Sequence, residues 1–186
     1  LLWHINEELL SELFAEAPTE PAAWRGIPFE VETDVEVVPI QFLTTRYLVF
    51  FTNIVHDFDG DVAFAHQMAA TWSGGFIPAE QHRLVKFLRA DAADQDTIFD
   101  PTAWKLEDPR QIFQFGRLLI SAILVHAEQM PAIRQYLFKP ENARLEKFYS
   151  RTFLRNRSTC AEAGFAPILD INVDEGGFYG YQRTTN

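Results

Sequence analysis

Hydrophobic positions along the chain fall into segments of different period. Over residues 3–16, WHINEELLSELFAE, Trp3, Leu9, Leu10, Leu13 and Phe14 recur mostly at three- and four-residue spacing. Glu7, Glu8, Glu12 and Glu16 lie largely on the other side, so an amphipathic helix is expected. Pro18 and Pro21 end it, and the Pro/Ala-rich residues 17–28 read as a linker. Residues 29–37, FEVETDVEV, alternate strictly. Phe29, Val31, Thr33, Val35 and Val37 point one way; Glu30, Glu32, Asp34 and Glu36 point the other. Period two with β-branched residues predicts a half-buried strand. Its outer face would carry four carboxylates about 6–7 Å apart at ~3.3 Å rise per residue. Like charges at that spacing repel unless water or cations answer them.

Pro39 breaks the run. Residues 40–55, IQFLTTRYLVFFTNIV, carry one charge, Arg46, and read as one long or two short buried strands. Residues 61–72 show a helical apolar face of Val62, Ala65, Met68, Ala69 and Trp72, stopped by Ser73-Gly74-Gly75. Residues 79–90, AEQHRLVKFLRA, read as another helix after Pro78. The stretch 91–107 is acidic and turn-rich. Asp108-Pro109 is an N-cap followed by proline at the first helical position, opening a helix over 109–129. That helix is apolar nearly all round over 118–125 and should be the central buried one. Residues 132–138 read as a strand, and Glu141 or Asn142 caps a helix over 142–156. Residues 168–173 and 177–183 read as strands joined by Asp174-Glu175-Gly176.

These elements predict a single α+β (mixed α/β) domain. It should have a small, mostly antiparallel sheet with strands near both ends and a central buried helix packed by flanking helices. Hydrophobic residues make up 47% and charged residues 23% of the 186, so a packed core is expected and disorder is not. One cysteine, Cys160, excludes a disulfide framework and cysteine-rich zinc sites. No stretch has the apolar length of a membrane span, and residues 1–16 lack a basic leader region. A cytoplasmic protein is expected, and the absence of an initial Met suggests a trimmed or partial chain.

Net charge is −10 and unevenly spread. Residues 1–100 hold 5 Lys/Arg against 17 Asp/Glu, and residues 101–186 hold 11 against 9. An acidic half argues against nucleic acid, whose phosphates demand basic side chains. It also argues against an anionic membrane surface. It suits a basic protein partner, or solubility alone.

Four constellations bear on chemistry. Asp57, Asp59 and Asp61 have the one-three-five spacing of a calcium loop, with His56 before them and His66 after. Gly60 falls at position 4 rather than 6, however, and Met68 stands where Glu is required. A solvated turn capping the next helix is the plainer reading, and no metal or other cofactor is expected. His126-Ala127-Glu128 has the His-x-acid form of an iron site, but positions i and i+2 do not face each other on a helix. The C-terminal end of the helix dipole accounts for that histidine. Cys160 has Arg155 and Arg157 nearby but no catalytic signature, and reads as an incidental thiol. Arg144, Lys147, Arg151 and Arg155, spaced three, four and four, form a basic stripe. That stripe suits an anion, an acidic partner, or the acidic strand of the same or a second copy.

Asn142-Ala143-Arg144-Leu145-Glu146-Lys147-Phe148-Tyr149 resembles the Asn-x-x-Ala-x-x-Phe-Tyr segment of GNAT-type acyltransferases, with the alanine at 143. The order of strand 132–138, helix 142–156 and a strand pair is similar to that family's C-terminal half. The resemblance covers about 50 residues and implies acyl-CoA chemistry. The family's glycine-rich pyrophosphate loop has no counterpart here, since the helix at that place begins Asp108-Pro109-Arg110. The leading expectation is therefore an interaction protein of inhibitor, immunity or adaptor type. It would bind a basic partner, or associate with itself, through Glu30, Glu32, Asp34 and Glu36. The alternative is a GNAT-like acyltransferase with a degenerate or absent CoA loop.

Overall fold

The computed structural model describes residues 5–57, 63, 79–90, 108–140, 142–168 and 179–184. The fold is α+β. Eight strands among the described residues form one mostly antiparallel sheet. They are β1 (Ala22–Arg25), β2 (Phe29–Glu32), β3 (Val35–Leu43), β4 (Thr45–Thr52), β5 (His82–Arg89), β6 (Gln135–Phe138), β7 (Phe165–Ile168) and β8 (Tyr179–Arg183). Their order is β1-β3-β4-β5-β6-β8-β7, with β2 also on β3. The helices used below are α1 (Glu7–Leu13), α2 (Ile54–Asp57), α3 (Pro109–Gln129), α4 (Ala143–Arg155) and α5 (Arg157–Glu162). The chain divides into two compact units, Leu1–Phe50 with Phe87–Gln129, and Phe51–Lys86 with Met130–Asn186.

In the first unit, β3 is covered on both faces. Val35 and Val37 join Leu13, Phe14, Leu48, Phe50 and Leu88 in one cluster, against which Leu9 and Leu10 of α1 pack. Asn6 caps α1, its side-chain oxygen accepting from the Leu9 amide at 2.8 Å. Arg46, the one charge of the apolar run, lies over the Phe14 ring at 5.0 Å. The opposite face of the sheet carries Phe42, Tyr47 and Phe87, whose rings meet Phe115 of α3 at 5.8, 4.9 and 5.4 Å. Helix α3 starts as its residues dictate: Asp108 Oδ1 accepts from the Arg110 amide at 2.8 Å, with Pro109 at the first helical position.

Three expectations are corrected here. Residues 17–28 are no linker: β1 lies within them, paired antiparallel to β3, and the Gln41 side chain donates to the carbonyls of Pro18 and Glu20. Residues 29–37 are not one strand but a hairpin. The chain turns at Thr33 and Asp34, the latter at φ 61°, and β2 folds back on β3 with Glu30 opposite Glu36. Residues 79–90 are not a helix. After a 3-10 turn, Ala79–Gln81, they form β5, which lies between β4 and β6 and pairs parallel with β6. A strand with neighbours on both sides satisfies its backbone in the sheet, and that context overrides the helical propensity of its residues. The expected helix over 61–72, apart from residue 63, and the turn at 174–176 lie outside the described residues.

Pro39 does not end the strand. It sits within β3 between the residues paired to β1 (Ile40 to Leu43) and those paired to β2 (Val35 to Val37). A missing N–H is tolerated where the neighbouring strand changes. There the Gly26 amide donates to the Pro39 carbonyl at 2.9 Å.

In the second unit, β6 is flanked by β5 and by antiparallel β8, and β8 pairs with β7. Phe138 of β6 and Tyr181 of β8 meet Phe153 of α4 at 5.1 and 4.8 Å, and α5 packs on β7. Asn142 caps α4, accepting from the amides of Arg144 and Leu145.

Two glycines set close approaches. A Cβ at Gly26 would stand 2.7 Å from Pro39 Cγ, and one at Gly180 would stand 2.4 Å from the backbone oxygen of Tyr136. Gly180→Ala should cost about 1–3 kcal/mol, and more than Gly26→Ala, because a sheet backbone yields less than a ring at its edge. Urea denaturation of the two variants measures the order.

Candidate functional site

The acidic residues of the hairpin separate into two kinds. Glu30 and Glu32 are exposed on β2, and Asp34 is half-buried in the turn. Beside them, Ile27 is 69% exposed and Phe29 also reaches the surface. Glu36 is different, and its place in an outer acidic face is corrected: it is only 4% exposed. On β3, residues 36, 38, 40 and 42 share a face by alternation, and Phe42 on that face packs against α3. The carboxylate is answered by His126 of α3, itself 0% exposed, with Nε2 3.2 Å from Oε2. His126 is thus held by a buried carboxylate rather than placed by the helix dipole. Glu128, two residues on, is exposed. A buried carboxylate is costly unless donors meet it, so this pair ties α3 to β3.

The basic stripe is present as spaced. Arg144, Lys147, Arg151 and Arg155 are all exposed on α4, while Tyr149, Thr152 and Phe153 are buried on its other side. Leu154 lies among the stripe and is 63% exposed. The stripe belongs to the second unit and the acidic hairpin to the first.

Cys160 is buried. Burial pushes its thiol pKa up, and the hydrogen bond it shares with the Tyr181 hydroxyl works the other way. Burial, then the neighbouring thiol, push Tyr181 up as well, and its hydroxyl donates to the Phe153 carbonyl at 3.4 Å. A protonated thiol enclosed in this way is a poor nucleophile.

Asp59, Asp61 and His66 lie outside the described residues, as do the side chains of His56 and Asp57. Among the described residues, no group of three His, Cys, Asp or Glu is arranged to hold a metal, and no helix is long and apolar enough to cross a membrane.

The segment resembling the acyltransferases serves the core. Asn142 spends its side-chain oxygen on the start of α4, and Tyr149 packs on Phe138 at 5.0 Å. Glu146 accepts from the Tyr179 hydroxyl at 3.1 Å. At the start of α3, where a pyrophosphate would need free amides, the Asp108 carboxylate already takes one. No family model, curated protein or solved structure matches the chain.

A second set of buried polar residues escaped the sequence reading: Thr52, Asn53, His82, Arg83 and Gln135, at one end of β4, β5 and β6. The signal was present in polar residues that punctuate otherwise apolar strand runs.

The buried pair gives a prediction. His126→Ala should destabilise the fold by about 3–5 kcal/mol, because it takes from a buried carboxylate the ring that faces it. Replacing both residues with leucine should recover most of the loss, and a double-mutant cycle by chemical denaturation reads the difference.

The Cys160–Tyr181 pair gives a second. Both pKa values are raised in the fold above their ordinary 9.0 and 10.0. Above pH 9 the unfolded chain therefore loses protons that the folded chain keeps. Stability is complete below that pH and falls as pH rises beyond it. In urea titrations between pH 7 and 10.5, Cys160→Ala with Tyr181→Phe should flatten the alkaline decline.

Proposed function

We propose that this protein acts by binding a basic protein partner through the acidic hairpin of β2 and β3, in the manner of an inhibitor, immunity or adaptor protein. The observation that carries the reading is the pairing of exposed Glu30 and Glu32 with exposed Ile27 and Phe29 on one edge segment. Exposed apolar side chains near charges of one sign suit a specific interface: the apolar groups supply affinity, and the charges steer and select. Asp34 extends the acidic rim at the turn. Glu36 takes no part, since it is committed to His126. The exposed Glu7, Glu8, Glu12 and Glu16 of the same unit add to the field that a basic partner meets.

The partner should bind at low salt and release as ionic strength rises, because exposed charges are screened over about 8–10 Å at physiological salt. Native mass spectrometry after capture from the source cells at low salt identifies it. Glu30→Gln with Glu32→Gln should weaken its binding at least tenfold, whereas Arg151→Gln in the second unit should not. Binding that survives loss of both glutamates overturns the reading.

A further inference from the structure

The exposed side of α4 carries charge of one sign. Arg144, Lys147, Arg151 and Arg155 are all exposed. Their spacing of three, four and four puts them on one helix face, about 4.5–6 Å apart along the axis at ~1.5 Å per residue. Like charges at these spacings destabilise a helix. Arg144 adds to the cost, because it stands in the first turn, where the helix dipole disfavours a cation. A solvated helix ordinarily relieves such crowding with acids three or four residues from its bases. Glu146, the one acidic residue of α4, stands at neither spacing from any of the four. Its Oε1 accepts instead from the Tyr179 hydroxyl at 3.1 Å.

Leu154 lies beside the stripe, three residues from Arg151 and seven from Lys147, and is 63% exposed. The opposite side of α4 is fixed. Tyr149 and Phe153 pack on Phe138 at 5.0 and 5.1 Å, and Phe153 on Tyr181 at 4.8 Å. The side chains of Asn142 and Asn156 close the two ends of the helix. The helix that presents the cations is therefore set before any partner arrives, which lowers the cost of binding.

Four cations on one face call for an anionic partner, and Leu154 chooses among anions. A nucleic-acid backbone offers phosphates and sugars but no apolar side chain to cover a leucine. An amphipathic protein helix carries carboxylates at three- and four-residue spacing with apolar side chains beside them, and so matches both features.

We propose that the exposed face of α4 is a docking surface for an acidic amphipathic helix of another protein. Its carboxylates meet Arg144, Lys147, Arg151 and Arg155, and its apolar edge covers Leu154. This surface lies in the second unit and does not rest on the reading of the acidic hairpin. The chain then bears two docking surfaces of opposite charge, one in each unit.

The test uses the whole chain and a fluorescein-labelled synthetic helix with glutamates spaced three, four and four and leucines beside them. A scrambled peptide of the same composition and a single-stranded oligonucleotide of equal charge serve as comparisons. Fluorescence anisotropy at low and physiological salt reads binding. The patterned helix should bind saturably, one per chain, and at least tenfold more tightly than either comparison. Lys147→Glu and Arg151→Glu, at exposed positions, should each weaken it at least tenfold. Leu154→Ala should weaken it severalfold and leave the salt dependence unchanged. Glu30→Gln with Glu32→Gln should have no effect. Circular dichroism checks that each variant is folded. Equal binding of the scrambled peptide or the oligonucleotide would mark a non-specific basic patch and overturn the proposal. Absence of binding, or binding indifferent to Arg151→Glu or Leu154→Ala, overturns it as well.

Discussion

A carboxylate on a strand covered from both sides must be met by a donor from whatever covers it, and in the first unit this requirement organises the packing. Glu36 lies on the β3 face that α3 covers, and His126 comes down from α3 to it at 3.2 Å. The same helix is held near its other end by the rings of Phe42, Tyr47 and Phe87 around Phe115. The two anchor points stand about 16 Å apart along the helix at ~1.5 Å per residue. One is apolar and tolerant of small shifts; the other is polar and tolerates few. The pair thus fixes both the rotation of α3 and the register of β3. A one-residue slip of β3 would drive Glu36 into the aliphatic cluster of Leu13, Leu48 and Leu88.

The second unit uses its two sheet faces differently. One is aromatic: Tyr136, Phe138 and Tyr181 are closed over by Phe153 and Tyr149 of α4 or by Phe165 of β7. Cys160 and Tyr181 are sealed within this layer, which keeps both hydroxyl and thiol protonated. The other face breaks an apolar surface with Thr52, His82 and Gln135. Thr52 Oγ1 and the Gln135 side-chain amide make no hydrogen bond among the described residues.

The legible parts of the fold were those with local signals. Asp108-Pro109 and Asn142 mark helix starts by chemistry that acts within one turn, and the apolar run of α3 is long enough to admit one reading. The hairpin of β2 and β3 was hidden because alternation continues across its turn. Thr33 and Asp34 keep the parity of the pattern, and only the left-handed φ of Asp34 breaks it. For β5, a short apolar run fits helix and strand alike, and the two flanking strands decide. The acidic site was half legible for the same reason. Glu30 and Glu32 are exposed on β2, but so is Phe29 at its start. Glu36 belongs to a strand with no outward face, which depends on a helix some ninety residues away in sequence.

The edge of the first unit is built from two short strands laid end to end along β3, with Gly26 and Pro39 at the joint. Such an edge responds to force in stages. Tension applied at the N-terminus loads α1 first and then opens the hydrogen bonds of β1 one after another, while those of β2 lie beyond the joint. The joint at Gly26 and Pro39 thus separates the pairing of β1 from the pairing of the part that carries the acidic surface.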